Sequence, residues 1–136
     1  MAKLRDFWKR KGDALLTLIL FGLSLVLYLR TLAPSVAAIF DDSLEFQLVC
    51  YELGIAHPTG YPLYTLLGKL FTLIPLGDVA YRVNLMSAFF AALTVALLYL
   101  VARKIASRPP AVLAALSLAF SPVFWSQAII AEVYTL

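Results

Sequence analysis

The sequence is poor in charged residues, and it contains one cysteine and one histidine. Only 14% of its 136 residues are charged, while 62% are hydrophobic. A soluble domain has about 25% charged and about 45–50% apolar residues, and a chain of this length cannot hide such an apolar excess in its own core. The composition therefore excludes a soluble enzyme. The single Cys50 excludes an internal disulfide, and no cysteine–histidine group has the spacing of a zinc site.

Three long runs without charged residues hold the apolar excess. They cover residues 14–29, 83–102 and 109–131, and each approaches or exceeds the ~20 residues that cross a bilayer as a helix. We therefore predict an all-α, polytopic membrane protein with three transmembrane helices and two short interfacial helices in its first outer loop. The predicted segments are a basic N-terminus (1–13), spans at 14–33, 83–102 and 110–126, the outer loop (34–82), a cytoplasmic turn (103–109) and the start of a second outer segment (127–136).

Basic residues cluster beside the first two runs. They are Lys3, Arg5, Lys9, Arg10 and Lys11 before the first run, and Arg103, Lys104 and Arg108 after the second. The positive-inside rule places both clusters in the cytoplasm, which predicts a multi-pass protein of the plasma or inner membrane with a cytoplasmic N-terminus. This rule explains the net charge of +3 without a nucleic-acid partner. A secretory signal cleaved before Ile39 is the rival interpretation of the first run.

The outer loop is predicted to contain two helices joined by a turn. The first covers residues 43–53, with Asp42 as its N-cap and Gly54 as its end. After a turn at 57–60, a second helix covers 62–74, and its sparse polar positions are typical of a helix that lies along a membrane surface.

The second span is predicted to begin at an N-cap formed by Asp78. The same carboxylate is placed to pair with Arg82 one helical turn later.

The loop also holds the densest group of ionisable residues outside the basic clusters. On a helix, Asp42, Glu45 and Glu52 share one face, with Asp41 beside them and His57 in the following turn. A partly desolvated carboxylate of such a group can accept a proton from a hydroxyl. Asp42 and Glu45 also have the spacing of a capping box. Both interpretations stay open on the residues alone.

Five stretches of the sequence carry a resemblance to a known family. They are 40–46 (FDDSLEF), 53–64 (LGIAHPTGYPLY), 77–87 (GDVAYRVNLMS), 121–128 (SPVFWSQA) and 131–134 (AEVY). The sequence resembles the domain-of-unknown-function 2723 family, whose members are similar to protein O-mannosyltransferases and belong to the GT-C glycosyltransferase superfamily. It departs from the family pattern at Thr59, where a second proline is common, and at Leu44, where glycine is common.

The resemblance implies a membrane-embedded transferase that moves a sugar from a polyprenyl-phosphate donor to an acceptor hydroxyl on the outer face. By position in the motif, Asp42 is the expected base, with Asp41 and Glu45 as catalytic neighbours. The expected substrate- or phosphate-binding residues are His57, Arg82, Tyr61 and Lys69. The resemblance assigns no cofactor, and the paired carboxylates leave a divalent metal open.

The expected partners are membrane lipid, the lipid-linked sugar donor and the remaining transmembrane helices of a longer protein. Residues 127–136 start a segment that nothing terminates, so we expect an N-terminal fragment that is inactive alone. A non-enzymatic membrane scaffold or a transporter subunit is the alternative function. A transporter places ionisable residues near the bilayer midplane, and the central parts of the three runs contain none.

Overall fold

The computed structural model describes residues 2–37 and 41–136, with side chains from Lys11 to Ala37 and from Asp42 onward. Four features of the sequence analysis therefore lie outside the described residues. These are the side chains of the basic residues before Lys11, the cleavage site before Ile39, Phe40 of the first motif, and the carboxylate of Asp41.

The described part of the chain is helical and contains no strand, which confirms the all-α prediction. The helices are α1 (Ala2–Thr31), α2 (Asp41–Glu52), α3 (Pro62–Thr72), α4 (Val79–Ala102), α5 (Arg108–Ala119) and α6 (Pro122–Ala128), followed by a 3₁₀ turn at Val133–Thr135.

Two of the three predicted spans are single helices that are long and apolar enough to cross a membrane, within Lys11–Thr31 and Val79–Ala102. The third is not one helix, because α5 and α6 meet at a bend of 62°. Pro122 explains the break, since it has no N–H to donate and it forces Ser121 out of the helical region, to ψ 123°. The two short helices form a third span only if they cross the membrane together.

Small residues let α1 and α5 approach α4 closely. The α1 side of α4 buries Ala88, Ala91 and Ala92 against Tyr28 and Leu32. Further along the same stripe of α4, Val95 and Tyr99 meet a row of three alanines that form the buried face of α5, namely Ala111, Ala115 and Ala119. Such small residues are typical of helix contacts inside membranes, where dispersion forces between closely packed backbones replace the hydrophobic effect.

Polar contacts fix both ends of this helix group. At one end the Tyr28 hydroxyl donates to the Ala119 carbonyl, 3.0 Å away. The break after α5 leaves this carbonyl without its usual helical donor. At the other end the Asp13 carboxylate accepts hydrogen bonds from Tyr99, Arg103 and Arg108. Because α1 and α4 are antiparallel, α2 and α3 lie at the Tyr28 end, which we call the loop end.

The first loop helix differs from its prediction at both ends. It begins at Asp41, so Asp42 lies inside its first turn and is not the N-cap. This excludes the capping box. The helix ends at Glu52, and Leu53, not Gly54, takes the left-handed conformation that follows, with φ 58°. The Gly54 N–H then donates to the Val49 carbonyl at 3.0 Å, as in a Schellman motif.

The second loop helix ends at Thr72, two residues before the predicted end, and its polarity is the reverse of that of a soluble helix. Its buried face consists of Tyr64, Thr65, Gly68 and Thr72. Its exposed face carries Leu63, Leu66 and Leu70, each about 60% exposed. This pattern suits a helix whose outer face contacts lipid.

The close crossing of α2 and α3 predicts a strong effect of Gly68→Ala. A Cβ at Gly68 would lie 2.7 Å from the Cβ of buried Cys50, so we expect a loss of about 1–3 kcal/mol in the free energy of unfolding. Gly22→Ala is the matched control, because a Cβ at Gly22 meets nothing within 4 Å. Thermal unfolding in detergent micelles measures both. Equal melting temperatures for the two variants would contradict the described crossing.

The left-handed residue after α2 predicts a stabilising substitution. Leu53→Gly removes a steric cost of about 1–2 kcal/mol, which outweighs the loss of a half-exposed side chain. Leu73→Gly is the control, since Leu73 also follows a helix and is exposed but has φ −82°. We expect chemical denaturation to show a gain for the first variant and a loss for the second. A loss for both would contradict the assigned conformation.

Candidate functional site

Four of the predicted site residues meet at the loop end, where α2 contacts the turn that precedes α3. Potential ligand atoms of Asp42, Glu45 and His57 lie within 4.8 Å of one another. The fourth residue is Tyr61, whose ring lies 5.3 Å from the His57 ring, centroid to centroid. The motif stretches 40–46 and 53–64 thus form one cluster.

Glu45 attaches the turn to α2 through two hydrogen bonds. Its Oε1 accepts from the backbone N–H of His57 at 2.8 Å, and its Oε2 lies 2.5 Å from His57 Nδ1. Both side chains remain about one-third exposed. The hydrogen bond lowers the pKa of the Glu45 carboxyl below its usual range and raises the pKa of His57 above 6.5. The charged forms of both groups are therefore favoured.

The next residue along α2, Phe46, packs against aromatic side chains of the turn. Its side chain is 1% exposed, and its ring centroid lies 5.7 Å from that of His57, 5.4 Å from that of Tyr61 and 4.9 Å from that of Tyr64. Tyr61 is left-handed, with φ 45°, a conformation that persists for a bulky residue only when its surroundings hold it. The contacts with Phe46 and His57 keep Tyr61 in this conformation. The ring of His57 is thereby fixed with Nε2 as its remaining nitrogen.

Asp42 is the acid of this cluster that has no hydrogen-bond partner. Its side chain is exposed, and within the described residues no group donates to its carboxylate. It lies in the first turn of α2, close enough to His57 to favour the charged imidazolium. The two neighbouring acids therefore differ: Glu45 holds the turn, whereas both oxygens of Asp42 remain available to a ligand.

Two carboxylates and an imidazole form a donor set that suits a divalent cation. The geometry, however, is that of a hydrogen-bonded pair. His57 Nδ1 and Glu45 Oε2 are 2.5 Å apart, whereas two ligands of one ion lie about 3 Å apart when each bond is about 2.1 Å. A cation at these three residues requires that the Glu45–His57 bond first opens.

The other predicted residues lie away from the cluster. Lys69 donates to the Tyr51 carbonyl at 2.5 Å, near the end of α2 opposite to Asp42 and about 14 Å along the helix axis. Glu52 is exposed at that same end.

Arg82 does not pair with Asp78 as predicted. Its guanidinium donates to the carbonyls of Thr72, Leu76 and Gly77 at 2.8–2.9 Å, which closes the turn between α3 and α4. Asp78 does form the predicted N-cap, because it accepts from the Tyr81 N–H at 2.7 Å, and it also accepts from the Ser35 hydroxyl. These local bonds use the groups that the predicted ion pair required.

A third acid, Glu132, approaches the cluster from the segment after α6. Its side chain is 2% exposed, and its Oε1 accepts from the hydroxyl of Ser43, 3.0 Å away. Glu132 belongs to the motif stretch 131–134, but the sequence alone predicts no role for it. A signal was present, namely an acid between apolar residues, but its partner lies 89 positions earlier in the chain.

An apolar groove of about 470 Å³ lies beside the turn. Its lining contains a buried hydroxyl, Thr65 Oγ1, that has no hydrogen-bond partner within the described part of the chain. The other lining residues include Leu53, Ile55, Gly60, Pro62 and Leu66.

Comparison with known proteins supports the resemblance found in the sequence. Residues 42–136 match the family described as the protein O-mannosyl-transferase TMEM260 N-terminal domain. The chain is 46% identical over 114 residues to the mouse protein O-mannosyl-transferase TMEM260, an alignment that covers 75% of this chain. It is 31% identical over 131 residues to the protein of the same name from Dictyostelium discoideum, across 93% of this chain. No solved structure matches significantly.

The chain spans 16% of the length of each of these two relatives. The family match begins at Asp42 and includes the whole cluster of Asp42, Glu45, His57 and Tyr61, as well as Glu132. It extends over well more than half of the chain. This membrane protein therefore belongs to the family of the protein O-mannosyl-transferase TMEM260 N-terminal domain.

Proposed function

We propose that this segment supplies the proton-accepting face of a membrane-embedded, GT-C-type mannosyltransferase. The enzyme takes its sugar from a polyprenyl-phosphate donor and transfers it to an acceptor hydroxyl outside the cytoplasm. The observation that carries the proposal is the unbonded carboxylate of Asp42 beside the bonded Glu45–His57 pair. The names of the two relatives support the reaction class.

Asp42 is the general base in this proposal. The proton of the acceptor hydroxyl passes to the Asp42 carboxylate while the hydroxyl oxygen attacks the anomeric carbon of the donor sugar. The bond from that carbon to the phosphate oxygen breaks, and its electron pair leaves with the phosphate. Exposure of Asp42 on the first turn of α2 gives an acceptor direct access to its carboxylate.

His57 is the cation that faces the departing phosphate. Because Nδ1 is engaged by Glu45, its other nitrogen, Nε2, is the one that can donate to a phosphate oxygen. The raised pKa of His57 favours the charged imidazolium that this role needs. Tyr61, packed against the His57 ring, forms the wall of the same site. Lys69 and Arg82 remain predicted contacts for lipid phosphate.

The apolar groove beside the turn and the leucine face of α3 suit a lipid-linked donor. Both lie at the loop end, opposite to Arg103 and Arg108, which the positive-inside rule places in the cytoplasm. We therefore assign the site to the outer face of the cell membrane and the N-terminus to the cytoplasm. The remaining transmembrane helices of the longer relatives are the expected partners that enclose the donor.

No step of this mechanism passes through a metal ion. Exhaustive chelation of the full gene product should leave transfer of mannose from polyprenyl-phosphate mannose within about twofold of the untreated rate, since the His57 imidazolium and not a metal ion neutralises the phosphate. Activity that is lost on chelation and restored by manganese would contradict this part of the mechanism.

The role of Asp42 predicts a severe effect of Asp42→Asn in the full gene product. We expect a loss of about 10²–10⁴-fold in the rate of transfer, because the amide cannot accept the hydroxyl proton. Glu52→Gln is the matched control, since it removes an exposed carboxylate from the far end of the same helix. Melting temperatures should not change for either variant. An Asp42→Asn enzyme that keeps more than a third of the activity would exclude the base.

The role of His57 predicts an alkaline limit to activity. A raised pKa means that the imidazolium persists above pH 6.5 and is lost only as the pH rises through the higher value. Transfer should therefore fall through that range. Glu45→Gln should move the fall to lower pH, because it removes the group that raises the pKa of His57. Rates measured across neutral pH test this, with Glu52→Gln as control. A rate that rises over the same range would instead make His57 a base.

A further inference from the structure

Glu132 is a buried acid for which the proposed mechanism has no use. It is 2% exposed, and the serine that donates to it, Ser43, is fully buried. Burying a carboxyl group is costly unless its partners compensate. A group of this kind within reach of the candidate base requires an explanation.

The backbone of Glu132 is fixed to the membrane helix α4. Its N–H donates to Ser87 Oγ at 3.2 Å, and its carbonyl accepts from the same hydroxyl at 3.4 Å. Ser87 is itself 1% exposed. A continuous polar connection therefore runs from α4 through Ser87 and Glu132 to Ser43 in the first turn of α2.

The first turn of α2 depends on this connection more than the rest of the helix does. Glu45 holds the turn at 57–61. Gln47, one helical turn after Ser43, donates to Asn84 of α4 at 3.0 Å. Within the described residues, Ser43 makes the one side-chain hydrogen bond from the first turn to another element. Asp42 is its neighbour in sequence. A helix terminus has fewer internal hydrogen bonds than the helix interior, so it frays first.

The electrostatic surroundings favour the neutral form of Glu132. Burial raises its pKa most, and the nearby Asp42 adds to this increase, while the hydrogen bond from Ser43 and the charge of His57 act in the opposite direction. A neutral carboxyl still accepts a hydrogen bond from Ser43 through its carbonyl oxygen, and it adds no negative charge that repels Asp42. A glutamine side chain has nearly the same shape as a neutral glutamate and the same carbonyl acceptor.

We propose that Glu132 is a positioning residue that holds the first turn of α2, and with it Asp42, by accepting the hydrogen bond of Ser43. The inference rests on the proposed function, because it assigns Glu132 to the placement of the proposed base. Glu132 acts through Ser43 and does not touch the reacting atoms. Its side chain is needed as a hydrogen-bond acceptor and not as a charge.

The test uses Glu132→Gln, Glu132→Ala, Ser43→Ala and the double alanine variant in the full gene product. Ser24→Ala is the matched control, since Ser24 is equally buried and its hydroxyl has no hydrogen-bond partner among the described residues. We expect Glu132→Gln and Ser24→Ala to retain kcat within about threefold. Glu132→Ala and Ser43→Ala should each lose at least tenfold in kcat with little change in KM. The double variant should be no worse than the more impaired single one, because both remove one contact.

Hydrogen exchange provides a readout that does not depend on activity. Amides of residues 45–47, whose helical acceptors are the carbonyls of residues 41–43, should exchange faster in Glu132→Ala and Ser43→Ala, but not in Glu132→Gln or Ser24→Ala. Glu132→Gln as inactive as Glu132→Ala, with a nearly normal Ser43→Ala, would overturn the proposal and make Glu132 a charged participant. Unchanged exchange in all variants would overturn it as well. Wild-type protein without transfer activity would refute the proposed function alone, and the exchange data would still decide the role of Glu132.

Discussion

Close packing against α4 is the constraint on which the rest of the structure depends. Each of the other described helices contacts this one, and so does the 3₁₀ turn after α6. Inside a bilayer, helices gain no hydrophobic free energy from leaving lipid for one another, so their association depends on fit and on internal hydrogen bonds. The alanines at 88, 91 and 92, each fully buried, provide that fit. The same helix then carries Asn84 and Ser87, which anchor the loop. The site is therefore built on a membrane helix and not on the loop alone.

Asp42 and Glu45, two acids near the start of α2, have different roles in the structure. Glu45 and Asp42 are three residues apart, yet the first has its hydrogen bonds satisfied by His57 and the second has none from the described residues. A carboxylate that holds a loop cannot also accept a substrate proton at no cost. In the proposed mechanism, the unbonded carboxylate of Asp42 accepts that proton instead. Phe46 completes the arrangement, since its buried ring packs against the ring of His57.

Properties that depend on local sequence could be predicted, and those that depend on distant partners could not. Uncharged runs reveal two of the spans, and the Asp78 cap follows because its partner is three residues away. The break before Pro122 has a local cause that the long apolar run concealed. Arg82 and Leu53 differ from prediction for another reason. Carbonyls at the end of α3 compete for the arginine, and the chain leaves α2 through a left-handed residue one position before the glycine. Glu132 depends on a partner 89 positions away, which no spacing reveals.

The reversed polarity of α3 has a practical consequence for how this family can be studied. Leu63, Leu66 and Leu70 together expose a continuous apolar ridge on the loop. Burying a leucine side chain is favourable by roughly 1.5–3 kcal/mol relative to leaving it exposed to water. An excised loop would therefore aggregate with other copies through this ridge. A fragment cut from this loop carries an apolar ridge that needs lipid or detergent to cover it. Purification must therefore cover this ridge with a detergent micelle, a bilayer or a nanodisc from the first step.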